Sequence, residues 1–157
     1  MESNSPLFSF SNEEMLPYMS SYLHVGRKEE DWKYQRVDFQ DTGLFASFDL
    51  VNPFISDLDS GGFHLSASTS QEVCSELLIF WLLKKAGLNV KPGEAWVKEM
   101  SYLGISPIRM SCGIQASLDV NKFRCGTKLL FADGRFRLED NCGGLSKVNI
   151  KGSISLS

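Results

Sequence analysis

The sequence predicts an α+β fold in which a single helix is served by antiparallel strands. Three observations carry that prediction. Leu77 to Leu83 are apolar around a full helical circumference, so a helix holding them must be covered on nearly all sides. Ile108, Met110, Cys112, Ile114, Ala116 and Leu118 alternate with Arg109, Ser111, Gly113, Gln115 and Ser117, the period of a strand with one wet face. The chain has 157 residues, one domain at roughly 100–200 residues each. A domain of that size hides about two-thirds of its unfolded surface, enough for a core without staples.

The elements run in this order. Residues 1–10 show no period and read as a loose arm. Ser11-Asn12-Glu13-Glu14 has the form of a capping box, and Pro17 restricts the segment up to Gly26 to short turns. Arg27 to Asp31 is a mixed-charge connection. Strands over Lys33 to Phe39 and Leu44 to Leu50, joined at Asp41-Thr42-Gly43, form a hairpin. Pro53 ends it, and residues 56–68 are a Ser/Gly/Asp-rich loop. Thr69 with Glu72 makes a second capping box, opening the central helix over about residues 69–87. Lys84, Lys85 and Gly87 suit its end.

A strand is expected from Trp96 to Leu103, then the alternating run 108–118. Thr127 to Phe131 and Arg135 to Glu139 flank Asp133-Gly134, a two-residue hairpin signal. Val148, Ile150, Ile154 and Leu156 alternate with Lys147, Asn149, Lys151 and Ser155. Hairpin, loop, apolar helix and four or five further strands is the order of the hotdog fold, a curved antiparallel sheet wrapped around one long buried helix. By fold-level analogy, such domains pair sheet edges into homodimers or multiples of dimers, with the active site at the subunit boundary.

Composition excludes several classes. Sixteen Lys+Arg against 19 Asp+Glu give a net charge of −3, which lacks the electrostatic footprint of a nucleic-acid binder. The seven-residue apolar run is far short of the roughly 20 residues of a membrane span. Met1 to Pro6 has neither the basic nor the apolar region of a signal peptide, so a soluble, cytoplasmic protein is expected. Cys74, Cys112, Cys125 and Cys142 show no CxxC spacing, and only His24 and His64 offer imidazoles. Reduced thiols and no metal site or redox cofactor are expected. Gly61-Gly62 and Gly143-Gly144 match neither phosphate-binding fingerprint.

Candidate chemistry gathers at the mouth of the helix. Gln71, Glu72 and Glu76 precede or enter the apolar segment. Glu72 and Glu76, four apart, share a helix face although like charges there cost a few tenths of a kcal/mol. A carboxylate beside an apolar channel is a general base or a nucleophile, and helix-start amides suit polarising a thioester carbonyl. Capping accounts for Glu72 as well as chemistry does; Glu76, a turn deeper, is less well explained by capping. His64 lies beside Gly61-Gly62, where glycines let a substrate approach the backbone. Asp59, Gly61, Gly62, Ser70 and Gln71 are candidate substrate-binding residues, and no Gly-x-Ser-x-Gly elbow surrounds the serines. Tyr18, Tyr22 and Tyr34 would line an acyl channel or simply pack. Arg135 and Arg137 would meet phosphates or form a solvated strand face.

Asp59-Ser60-Gly61-Gly62-Phe63-His64, followed by Gln71-Glu72-Val73-Cys74-Ser75-Glu76 and the apolar helix, resembles hotdog acyl-thioester enzymes. It looks closest to the FcoT-like long-chain acyl-CoA thioesterases, which also carry a Trp-bearing strand similar to Glu94-Ala95-Trp96. The resemblance implies hydrolysis of acyl-CoA or acyl carrier protein, with coenzyme A or phosphopantetheine entering only as part of the substrate. It implies that Glu72, Glu76 and His64 are catalytic, with Gln71 near the thioester. Asp59 and His64, five apart, also resemble the loop of 3-hydroxyacyl thioester hydratases and dehydratases, although the Asn-Pro of that loop is replaced by Gly61-Gly62. A non-catalytic acyl-binding hotdog domain is the third reading.

Overall fold

The structure, a computed structural model, describes residues 30–156. The expected arm, the short turns over 11–26, Tyr18, Tyr22 and His24 lie outside them. Strands β1 (Asp31–Gln40) and β2 (Gly43–Val51) form the expected hairpin, each a little longer than its apolar pattern. Helix α1 (Ala67–Lys85) follows, then β3 (Ala95–Ser106), β4 (Ile114–Cys125), β5 (Leu129–Glu139) and β6 (Leu145–Ser155). The six strands make one antiparallel sheet in the order β1-β2-β4-β5-β6-β3. β1 and β3 are therefore its edges.

One face of this sheet packs on α1. Phe48, Ile114, Ala116, Leu118, Leu138, Val148, Ile150 and Ile154 point inward from alternate strand positions and are buried with Leu77, Leu78, Trp81 and Leu82 of the helix. Trp81 is anchored further: its Nε1 donates to Gln40 O at 3.0 Å, and its ring lies edge-on to Phe123 and stacked on Phe39. Ile79, Phe80 and Leu83 are only partly buried. The apolar circumference is thus not covered all round; one stripe is left facing cavities.

Four expectations need correction. The helix begins at Ala67, not Thr69: Ser66 is the N-cap, its Oγ accepting from Thr69 N at 3.1 Å. Glu72 therefore falls outside the first turn, and the Thr69/Glu72 capping box does not exist. Residues 108–113 are not strand despite their alternation. Asp140 takes Arg109 N at 2.8 Å and Met110 N at 3.2 Å, and Gly113 has a φ of 68°, so the ladder starts only at Ile114. Met110 and Cys112 point away from the core as Ile108 enters it, with Met110 exposed and Ile108 buried.

Asp133-Gly134 is not a turn either. It lies inside β5, opposite Lys151 and Ile150 of β6. A Cβ on Gly134 would stand 2.7 Å from Leu118 Cδ1 and 3.2 Å from Leu78 Cδ1. The glycine is there for close approach of side chains, the other meaning of a strand glycine. The β4–β5 connection is made instead at residues 126–128, where Gly126 N donates to Leu129 O at 2.9 Å.

Candidate active site

Edge strand β1 and helix α1 meet at one carboxylate. Trp32 and Tyr34 alternate along β1 and so share its inner face. Trp32 Nε1 donates to Glu76 Oε2 at 3.1 Å, and Tyr34 OH donates to the same oxygen at 3.2 Å. Tyr34 packs edge-on against buried Phe48, which fixes the ring. Burial first, then the charge of Glu76, pushes the Tyr34 hydroxyl above its ordinary value, so it stays a neutral donor. Glu76 sits in the third turn of α1, about 14 Å from the helix start. Its Oε1 has no hydrogen-bond partner among the described residues.

Two cavities meet at Glu76. An open one of about 440 Å³ is walled by Trp32, Ser68, Gln71, Glu72, Ser75 and Met100 together with Glu76. Both edge strands thus reach the same mouth, β1 through Trp32 and β3 through Met100. The other, about 470 Å³ and predominantly apolar, is lined by Tyr34, Val37, Leu77, Ile79, Phe80, Leu83 and Lys91 together with Glu76. A polar mouth and an apolar groove joined at one held carboxylate is the arrangement that a substrate with a polar carrier and a greasy tail requires.

The helix start is capped from within the chain at one amide, Thr69 N. Ser66 Oγ takes Thr69 N, and Thr69 Oγ1 donates to Glu30 Oε1 at 2.6 Å. Ser70 is fully buried and its hydroxyl donates to Ser66 O at 2.8 Å. Ser70 therefore points its hydroxyl into the helix backbone. Gln71 and Glu72 do line the mouth; Glu72 and Glu76 are both exposed. Sequence reasoning missed Trp32 and Met100; Tyr34, a channel candidate, lines the apolar groove and in addition donates to Glu76.

His64 lies elsewhere in the chain. Its Nδ1 donates to Asp59 Oδ2 at 2.9 Å, the direction an ionised carboxylate requires. The pair sits on a tight loop in which Gly61 and Gly62 have φ of 79° and 81°. Arg109 clamps that loop, its guanidinium donating to Ser60 O and Phe63 O. His64 faces a separate cavity of about 170 Å³ with Tyr102, Ile105 and Pro107. No residue is shared between that cavity and the mouth at Glu76.

Arg135 and Arg137 stand on the outer sheet face, away from the helix, with Arg137 paired to Glu139. All four cysteines are unpaired. Cys74 is buried in the core, where burial pushes its thiol up, and the others are exposed. Among the described residues no three His, Cys, Asp or Glu side chains gather as a metal site, and no helix is long and apolar enough to cross a membrane.

No protein-family profile matches the sequence, and no curated protein matches it. Solved structures do. The smu.793 protein of Streptococcus mutans bound to acetyl-CoA aligns with a TM-score of 0.56 at 6% identity, over 78% of this chain and 88% of that one. A hypothetical thioesterase of Streptococcus pneumoniae with coenzyme A gives 0.52 at 7% identity, over 79% and 85%. A mutant thioesterase of Pseudomonas aeruginosa gives 0.50 at 16% identity, over 96% and 98%. The chain has the hotdog fold of these proteins. At such identities the likeness is one of fold, and chemistry has to be argued from the residues above.

Proposed function

We propose that the protein hydrolyses acyl thioesters, with Glu76 as the group that acts on the thioester. One observation carries this: a carboxylate held by two donors at the junction of a polar mouth and an apolar groove. Two structural neighbours holding coenzyme A or acetyl-CoA support the ligand class. The thioester carbonyl lies at Glu76 rather than at the helix start, where Ser66 Oγ already takes Thr69 N and Glu30 takes the Thr69 hydroxyl. The carrier, coenzyme A or the phosphopantetheine of a carrier protein, leaves through the mouth, and the acyl tail occupies the groove. The sheet in this reading curls around α1, bringing both edge strands to the mouth.

Glu76 Oε2 is fixed by Trp32 and Tyr34, and Oε1 takes a proton from water as the water oxygen adds to the carbonyl carbon. Gln71 supplies an amide donor for the carbonyl oxygen. The C–S bond then breaks, and the thiolate collects the proton from Glu76. Glu72, on the same wall, keeps the mouth acidic. No step calls for a metal or redox cofactor.

His64 enters from a second copy. β3 is an edge strand with exposed apolar side chains, Leu103 at 59% and Ile105 at 51%, a surface that invites pairing. Met100 lies at the mouth and Tyr102 in the His64 cavity. Antiparallel pairing of β3 with its copy about a two-fold axis near Ser101 sets Tyr102 of the partner subunit beside Met100. His64 of the partner subunit, with Asp59 behind it, then faces the mouth and orients water or the thioester. The protein in this proposal is a cytoplasmic homodimer.

The test offers acyl-CoAs and 3-hydroxyacyl-CoAs and scores thiol release separately from enoyl formation. Thiol release that is lost in Glu76→Ala supports the reading. Enoyl formation dependent on His64 and Asp59 overturns it in favour of a dehydratase. Binding without turnover overturns it in favour of a non-catalytic acyl carrier.

A further inference from the structure

The apolar groove is lined by two opposite charges, Glu76 on α1 and Lys91 on the connection that follows α1. The chain after α1 turns back on the helix end, with Leu88 N donating to Leu83 O at 2.8 Å, and a loop tied there can carry Lys91 to the Leu83 end of the groove. Lys84 adds a second cation: its Nζ stands 6.0 Å from the Phe80 ring centroid and 3.5 Å from Asn89 Oδ1. The neighbouring acid on the β1–β2 turn, Asp41, is taken by Lys85, and Asp38 by Arg36. Lys91 makes no ion pair among the described residues.

The groove also has a length. From Glu76 to Leu83 the helix rises about 10 Å. An extended chain gains roughly 1.2 Å per bond along its axis, taken from the residue repeat of an extended backbone, so about eight carbons reach from the carbonyl at Glu76 to the lysines.

We propose that this groove selects a medium-chain acyl group, about eight carbons long, whose far end carries a carboxylate received by Lys91. The proposal rests on the thioesterase reading for the placement of the carbonyl. Val37, Leu77, Phe80 and Leu83 hold the methylenes, and the cationic end discriminates an ω-carboxylate from a plain methyl. An ω-ammonium group is rejected there. Longer chains would overrun the groove and expose their tails.

The experiment measures binding of two non-hydrolysable thioethers of coenzyme A, one with a plain octyl chain and one of the same length ending in a carboxylate. Calorimetry at low salt is expected to show the carboxylated ligand bound about fivefold more tightly, the upper end for a solvent-exposed ion pair. Lys91→Gln, its fold verified by circular dichroism, should bring the two affinities together. Equal affinities in the wild type, or a difference that survives Lys91→Gln, overturns the proposal. Thiol release from octanoyl-CoA is followed in parallel. A Lys91-dependent preference without any thiol release would uphold the groove and sink the hydrolase.

Discussion

Glu76 and Tyr34 are 42 residues apart in sequence, yet the hydroxyl of one donates to the carboxylate of the other at 3.2 Å. With Trp32 Nε1 at 3.1 Å, the same oxygen receives two donors from one edge strand. The carboxylate is thereby aimed before any substrate arrives. Removing one donor leaves the charge in place but loosens it, so Tyr34→Phe should lower kcat for thiol release about tenfold, roughly one hydrogen bond to a charged group. Steady-state kinetics below the unfolding range of both proteins measures this, and an unchanged Kd for a thioether analogue would mark it as positioning.

The raised pKa of Tyr34 makes a second prediction. Burial and the Glu76 charge favour the neutral phenol in the folded state, while an unfolded tyrosine ionises near about 10. The stabilisation is present below that value and is lost as pH rises beyond it toward the folded pKa. Absorbance titration of tyrosinate should show one group in the wild type, missing in Tyr34→Phe, that resists ionisation until the protein unfolds.

Asp140 ties two connections together. Its Oδ2 takes Arg109 N and Met110 N, and its Oδ1 takes Cys142 N and Gly144 N at 2.9 and 2.8 Å. Burial opposes its charge, but the four backbone donors outweigh that and hold the carboxyl below the ordinary range. The contribution is present above about pH 3.9 and fades as pH falls through the lower folded value. Asp140→Ala should cost about 1–3 kcal/mol in urea unfolding at pH 7, and the gap to wild type should shrink in acid.

Asp140 also explains why part of the fold was illegible in the sequence. Its four donors hold residues 109 and 110 in a loop, although the alternation of 108–118 reads as unbroken strand. Nothing local in that run announces a carboxylate 30 residues away. Asp133-Gly134 misled for a related reason: the dipeptide is a turn signal by its own conformational freedom, but the space left by Leu118 and Leu78 uses the glycine differently. By contrast, β2 and the last strand were legible because their apolar periods match what the core buries, and the central helix by its apolar run and terminal residues, although that run is not covered all round. The candidate site was half legible. Glu76 could be singled out by its place on the helix, and His64 with Asp59 by spacing, but the pairing of Glu76 with Trp32 is a tertiary fact.

Gly134→Val tests that reading of the glycine. Inside a packed strand the added branches meet Leu118 and Leu78, and the cost should be about 1–3 kcal/mol, as for other overpacked cores. Double replacement with Leu118→Ala should recover part of it. Chemical denaturation of the three variants measures both.

A site shared between subunits predicts complementation. His64→Ala and Glu76→Ala homodimers should each be nearly inactive. Mixing them under exchange should restore up to about a quarter of wild-type activity, because half the dimers are mixed and each holds one intact site. Activity that stays flat on mixing, with exchange verified by mass, contradicts the shared site.

The most direct test of the central claim is the rate of thiol release from octanoyl-CoA by the wild type and by Glu76→Gln, which keeps the shape and removes the base. A fall of about 100-fold to 10,000-fold in kcat, the usual worth of a general base, with the Kd for a thioether analogue unchanged, is the predicted result. A Glu76→Gln enzyme that releases thiol at the wild-type rate would contradict the account.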